Sequence, residues 1–360
     1  MEQNETKLRQ LFQMITGPHE DARQTAARKW SACAKPLGSL GLLETAIEQI
    51  AALTGDARIC LTPRAVLVLC ADNGVVAQGV TQTDSSVTAI VTNNLAQHRT
   101  SVCRMAAVAN CQVVPVDMGI LDFPPTEGVL RRRIANGPAD ISQGPAMTRE
   151  QAAAAVLTGI QLVKELKDAG IRLLATGEMG IGNTTTSSAV ASVLLNQPVT
   201  AMTGRGAGLS DAGLKRKVEA IQRAIQLNRP DPQDPLDVLA KVGGFDIAGL
   251  CGVFLGGALY EVPVLADGFI STVAALCAVR MAPLADKALL ASHVSAEPAG
   301  RMVLEALQRR PLITAEMRLG EGTGAVAAIP LLDMACAVYQ ETYTFEEGGI
   351  EPYQPQEGQP

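Results

Sequence analysis

The chain has 360 residues, of which 47% are hydrophobic, and a formal net charge of −6; this is enough apolar chain for one large α/β domain, or a large domain with a smaller companion. Its basic residues are scattered, and it contains only six Phe, four Tyr and one Trp. With neither a positive stripe nor an aromatic stacking platform, a nucleic-acid or anionic-membrane surface is not expected, and a small-molecule partner fits better.

The opening segment MEQNETKLRQLFQMI is polar and mixed in charge, without the basic-then-apolar order of a secretory signal, which points to a cytoplasmic protein. From Glu5 to about Leu53 the pattern is helical, broken at Lys35-Pro36-Leu37-Gly38-Ser39 and resumed in LGLLETAIEQIAAL. Residues 1–60 therefore read as a helical region belonging to a small domain. Short apolar runs follow at 65–74, 111–120, 171–180 and 261–269, each stopping at an acidic residue with glycine nearby. Runs of this kind are expected to be strands buried on both faces. Alanine-rich helical segments lie between them, so residues 61–342 are expected to form an α/β domain: a parallel sheet flanked by helices, Rossmann-like, with a smaller helical domain attached. Ligands of such open sheets sit beyond the carboxyl ends of the strands, where these Asp, Glu and Gly clusters fall.

The longest apolar stretch, Ile247 to Tyr260, is glycine-rich and shorter than the roughly 20 residues of a membrane helix, so no span is expected. Eight cysteines form no C-x-x-C pair and read as reduced core residues. Residues 343–360 are poor in apolar side chains and read as a loose tail.

Two glycine loops carry the ingredients of anion binding. ATGEMGIGNTTTSSAVASVLL leaves a predicted strand, crosses Gly177, Gly180 and Gly182, and enters a helix through Asn183 and Thr184. Backbone amides, hydroxyls and a helix N-terminus together suit a phosphate, although the spacing matches no standard phosphate motif and a tight strand-to-helix turn remains the alternative. The second loop, TGRGAGLS, contains Gly204, Arg205 and Gly206 and is followed by Lys215, Arg216 and Lys217. Glu178 lies in the first loop and Glu321 in a separate one, RLGEGTGA. A carboxylate in a narrow, partly dry loop acquires a raised pKa and suits a general base; a solvated or helix-capping role is the structural alternative. With only three histidines, His19, His98 and His293, a three-His zinc centre or a Ser-His-Asp triad is unsupported. His293, Asp72, Asp117, Asp246 and Asp267 read as residues that fix loops through hydrogen bonds.

The ordered pieces KPLGSLGLLE, VLCADNGV, VDMGI, GEMGIGNTT, KVGGFDIAGLCGVFLGGA, PVLADGF, SHVSAE and MRLGEGTGA run through nearly the whole chain except its tail. Together they resemble the nicotinate-nucleotide:dimethylbenzimidazole phosphoribosyltransferase family. That resemblance implies transfer of a 5-phosphoribosyl group from nicotinate mononucleotide to an aromatic lower-ligand base of a cobamide, in a dimer, with no cofactor and no metal. It gives Glu321 the role of general base and Glu178 that of holding or polarising the ribose. Gly177, Gly180, Gly182, Asn183, Thr184, Gly204, Arg205, Gly206, Lys217 and Ser292 would hold the phosphate and ribose, and Thr83, Val91 and Met179 the base. Val91 stands where a Gln is common, and an apolar wall reads an acceptor less strictly. Benzimidazoles, purines and phenolic acceptors therefore stay open, the last used by related enzymes that work as pairs of homologous subunits. A dinucleotide-dependent oxidoreductase is disfavoured because the first strand ends in ADNGV instead of a G-x-G-x-x-G turn. A non-catalytic partner subunit is disfavoured because both glutamates are present.

Overall fold

The central strand β1 (Arg64–Ala71) is buried along its whole length, because its two faces carry two different cores. Ala65, Leu67, Leu69 and Ala71 join one apolar cluster, whereas Val66, Val68 and Cys70 join the other. This is the period-two alternation of a strand with apolar residues at every position. The structure, a computed structural model, describes residues 3–354.

Around β1 the chain adds β2 (Gln112–Gly119), β3 (Leu130–Arg131), β4 (Leu173–Met179), β5 (Val264–Ala266) and β6 (Leu289–Ala291). The order is β3-β2-β1-β4-β5-β6, and every neighbouring pair is parallel. The chain thus builds outward from β1 in one direction, returns to the centre at β4 and builds outward in the other. The reversal between β1 and β4 opens a crevice at their carboxyl ends, the place where doubly wound sheets receive ligands.

On one face the helices Arg149–Asp168, Phe245–Leu259 and Gly268–Met281 cover the sheet. The first two meet backbone to backbone: a Cβ on Gly252 would lie 2.0 Å from the Val156 carbonyl oxygen, and one on Gly159 2.0 Å from that of Gly249. On the other face the helices Leu42–Thr54, Ser101–Val108 and Thr323–Glu341 pack together. Thr323–Glu341 is long and apolar enough to cross a membrane by length and composition, but it buries Ala325, Val326, Ile329 and Leu332 in this second core.

The N-terminal region is helical at Gln3–Gln13, Glu20–Ala32 and Leu42–Thr54, with the break around the Lys35–Ser39 segment as expected. These helices share the cores of the sheet. Leu8 belongs to the first cluster and Trp30, Ile47 and Ile50 to the second. The expected loose tail is partly anchored: Ala34 donates its amide to the Tyr343 carbonyl at 3.0 Å and Phe345 donates to that of Ala32 at 3.0 Å. Phe345 is buried, so one aromatic side chain suffices to dock a segment that is otherwise polar. The last six residues of that tail, 355–360, lie outside the described residues, as do residues 1 and 2. All eight cysteines are free thiols.

Candidate active site

β4 delivers Glu178 to the crevice, and the turn Gly180-Ile181-Gly182 then starts the helix Asn183–Leu195. Gly182 has φ +95°, a left-handed conformation that costs glycine nothing and lets the chain swing from strand to helix in three residues. Glu178 is buried, and the Asn183 side-chain amide donates to one of its oxygens. Burial pushes its pKa well above the ordinary carboxylate range, helped by the nearby carboxylates of Asp246, Asp267 and Glu321.

Glu321 arrives from a different loop. Gly320, Glu321 and Gly322 all have left-handed backbones, with φ of +88°, +60° and +92°, and lead directly into Thr323–Glu341. Asp267, just beyond β5, grips this turn: its carboxylate accepts the amides of Gly322 at 3.1 Å, Gly324 at 2.8 Å and Ala325 at 3.1 Å. These are the free donors of a helix start, satisfied by a side chain from another element. Asp267 is itself fixed by Thr176, whose hydroxyl oxygen accepts the Asp267 amide at 3.1 Å. Glu321 is partly buried, and its Oε2 has no hydrogen-bond partner among the described residues. Burial raises its pKa, while the Val102 amide and the Thr100 hydroxyl act in the opposite direction. A carboxylate with one unengaged oxygen and a raised pKa is suited to taking a proton near neutral pH.

The two glutamate loops touch through glycines. A Cβ on Gly177 would stand 2.5 Å from the Glu321 carbonyl oxygen, and one on Gly320 would stand 2.7 Å from Glu178 Oε1. Only glycine at both places lets the carboxylates share one cleft.

A cationic group faces the same cleft. Lys217, on the helix Asp211–Asn228, is 1% exposed and donates through Nζ to Thr184 Oγ1 at 2.8 Å and to the Gly204 carbonyl at 3.1 Å. Burial lowers its pKa to about 8. Gly206, with φ +52°, leaves room over this pair: a Cβ there would be 3.0 Å from Thr184 Oγ1 and 3.5 Å from Lys217 Nζ. An ammonium held beside a helix N-terminus and an open glycine is an arrangement that accepts a phosphate.

His293 is buried, and its Nδ1 lies 3.1 Å from Ser292 Oγ. The Ser292 hydroxyl donates to the Ala266 carbonyl, so its oxygen is left to accept a proton from Nδ1. Burial also lowers the His293 pKa, against the pull of the Asp267 carboxylate 3.9 Å away. A neutral ring that braces a loop is the role expected of it. Asp72 and Asp117 likewise accept loop amides, from Leu121 and Ile120.

A family model described as phosphoribosyltransferase matches residues 15–350 of this chain. Nicotinate-nucleotide–dimethylbenzimidazole phosphoribosyltransferase of Acetivibrio thermocellus is 47% identical over 347 residues, covering 96% of this chain and 99% of that protein. The chain belongs to this phosphoribosyltransferase family. The enzyme of the same name from Ruminiclostridium cellulolyticum is 48% identical over 337 residues, covering 94% of this chain and 96% of that protein. The crystal structure of CobT from Thermus thermophilus superimposes with a TM-score of 0.88 at 39% identity, covering 92% of this chain and all of that one.

In this phosphoribosyltransferase the cleft, with a volume of about 200 Å³, brings together Glu178, Glu321, Met179, Asn183, Thr184 and Lys217. Gly180, Gly182, Arg205 and Gly206 also line it. Arg205 is engaged on its outer side, donating to the Leu209 carbonyl at 2.8 Å and pairing with Asp211. Gly177, Gly204 and Ser292 stand behind the wall, where they set the positions of Glu321, Lys217 and His293. Thr83 and Val91 do not reach the cleft: Thr83 is exposed in its loop, and Val91 packs from the helix Ser86–Ala96 against the second core. From the same stretch it is Val80, Thr81 and Gln82 that line the cleft, three residues that sequence reasoning missed. Gln82 Nε2 donates to the Ala207 carbonyl at 3.0 Å and so ties this loop to the phosphate side.

Glu297 is the other omission. It lines the cleft with a buried Oε2 that has no hydrogen-bond partner among the described residues, and a Cβ on Gly204 would sit 1.9 Å from that atom. The SHVSAE segment stands out in the sequence, but nothing in it says which side chain faces the ligand.

Proposed function

We propose that this phosphoribosyltransferase moves the 5-phosphoribosyl group of nicotinate mononucleotide onto an aromatic base of the benzimidazole class, releasing nicotinate and forming an α-ribotide for a cobamide lower ligand. The observation that carries this reading is the meeting, in one cleft, of a buried Lys217 beside Thr184 and Gly206 with two carboxylates from separate loops. The names of the relatives supply the acceptor class.

The chemistry needs no electron carrier. Nicotinate on ribose is a pyridinium; when the C–N bond breaks, the bonding pair returns to the ring nitrogen and its charge is neutralised. The acceptor nitrogen supplies a new pair to the anomeric carbon, and Glu321 takes the proton that the acceptor gives up. Glu178 faces the positive charge that develops on the ribose. Burial raises its pKa, and the pyridinium of a bound nucleotide favours its ionised form, in which it stabilises that charge in a dry setting more than water would. Lys217, Thr184 and the amides around Gly206 hold the phosphate, so the reacting atoms are presented at a fixed separation. Met179 and Leu319 offer the acceptor ring an apolar wall.

We place the reaction in the cytoplasm, consistent with eight free thiols, and in a two-chain assembly of identical or homologous subunits. The test is to incubate the purified chain with nicotinate mononucleotide and a panel of dimethylbenzimidazole, other benzimidazoles, adenine, phenol and p-cresol, reading nicotinate release and ribotide formation. Benzimidazole ribotide is the expected product. Turnover of phenols alone would move the acceptor class, turnover only after addition of a homologous subunit would favour the paired assembly, and no product under any condition would overturn the reading.

A further inference from the structure

At the other end of β6 from the catalytic cleft, a second cavity lies between the N-terminal helices and the segment Pro283–Ala288. Arg23, Thr45, Glu48, Asp286, Lys287 and Arg309 line it. Lys287 precedes β6 and His293 follows it, so the length of that strand separates this cavity from the cleft.

Lys287 is 8% exposed, and its Nζ, shielded from solvent, has no hydrogen-bond acceptor among the described residues. The carboxylates around it are otherwise engaged. Asp286 pairs with Arg309 at 2.6 Å, and Glu261, which raises the Lys287 pKa against the lowering effect of burial, pairs with His19 at 3.0 Å. Glu48 is pushed toward its neutral form, by burial first and then by Glu44. Arg23 Nε and Arg309 Nε are also buried without a hydrogen-bond acceptor, with Glu20 3.4 Å from Arg23 and Glu48 near enough for Arg23 to offset part of the rise in the Glu48 pKa. A buried ammonium without an acceptor is among the costliest arrangements in a protein, and nothing in the catalytic reaction requires one here.

We propose that this cavity binds a small oxyanion of the phosphate class, held by Lys287 with Arg23 and the Thr45 hydroxyl. A tetrahedral anion offers acceptors in several directions at once, which matches donors arriving from the helix Glu20–Ala32, the helix Leu42–Thr54 and the segment before β6. Occupied, the site fastens the N-terminal helices to the edge of the sheet and stabilises the fold by mass action.

The test is equilibrium dialysis with inorganic phosphate at constant ionic strength, using Lys217→Met protein, in which the phosphate group of the catalytic cleft is disabled, and the Lys217→Met/Lys287→Met double variant. The first should bind one phosphate per chain and the second should bind at least about tenfold more weakly. Equal binding by the two, or no saturable binding by Lys217→Met below about 10 mM, overturns the proposal. Thermal melting of full-length protein gives a second measure. The Tm of Lys217→Met should climb with phosphate, whereas that of Lys217→Met/Lys287→Met should start higher in phosphate-free buffer, because a buried charge has been removed, and stay flat. A phosphate-dependent Tm that survives in the Lys217→Met/Lys287→Met double variant also overturns it. Failure of the catalytic assignment reads differently, as identical phosphate binding by wild type and Lys217→Met.

Discussion

Gly177 and Glu321 meet across the crevice with no room between them: a Cβ on the glycine would lie 2.5 Å from the glutamate's carbonyl oxygen. Gly177→Ala should therefore displace the Glu321 loop, at a cost of about 1–3 kcal/mol for overpacking. Turnover should fall further than the melting temperature does. Gly252→Ala is the control, since its Cβ would strike the Val156 carbonyl at 2.0 Å far from the cleft. It should lower Tm while the folded fraction keeps its specific activity. Parallel measurement of kcat and Tm for both variants checks the distinction.

Replacing Glu321 by Gln keeps the side chain's shape and removes its capacity to take a proton. We expect kcat to fall by about 10²–10⁴, the usual weight of a general base, while nicotinate mononucleotide binds as before. Steady-state kinetics together with calorimetric titration of the nucleotide would separate the two effects; near-normal turnover would remove Glu321 from the chemistry.

Lys217 gives a pH signature of its own. Burial brings its pKa down to about 8, so the free enzyme loses this positive charge as pH rises through that value. A phosphate prefers the charged form, so KM for nicotinate mononucleotide should climb above about pH 8, nearing tenfold per unit. Lys217→Met should show a raised KM at every pH and lack that alkaline limb in kcat/KM. An unchanged limb would assign it to another group.

Asp246 titrates in the middle of the working range. It is fully buried, and burial lifts its pKa from 3.8 to about 7. The folded state therefore holds this proton more tightly than the unfolded one. The stability it contributes is complete below about pH 4 and is lost as pH rises through 7, with an upper bound of about 4 kcal/mol. Asp246→Asn fixes the neutral form, so its denaturation midpoint should vary less between pH 5 and 8 and exceed wild type at pH 8. Urea melts across that range would show it; a variant with the wild-type slope would exclude Asp246 as its source.

Long, self-contained signals were the legible ones. The runs that became β1, β2, β4 and β5 could be read because each is apolar and ends in an acidic residue beside glycine. β3 and β6, two and three residues long, carry too little pattern to be separated from the loops around them. Glu178, Glu321 and Lys217 line one cleft; the two glutamates stand out by their glycine-rich loops, Lys217 only through the family resemblance. The stretch after ADNG was less legible: the family resemblance put Thr83 and Val91 at the base, whereas the turn before Ser86–Ala96 lines the cleft with Val80, Thr81 and Gln82. Which residues of a turn face inward depends on its backbone path, and that path is fixed by a long-range bond from Gln82 to Ala207. Phe345 escaped notice for a similar reason, since its burial depends on Ala32, more than 300 positions earlier in the chain.

Asp267 has a further consequence. By gripping Gly322, Gly324 and Ala325 from the end of β5, it sets the bearing of Glu321 through the backbone amides that follow it. In the proposed reaction the mount of the base thus rests on β5, apart from the turn of Val80, Thr81 and Gln82 on another part of the cleft wall. In that reaction, changes at Val80 or Thr81 should alter which ring is admitted while Asp267 keeps Glu321 in its mount, so that the acceptor can be exchanged without rebuilding the base.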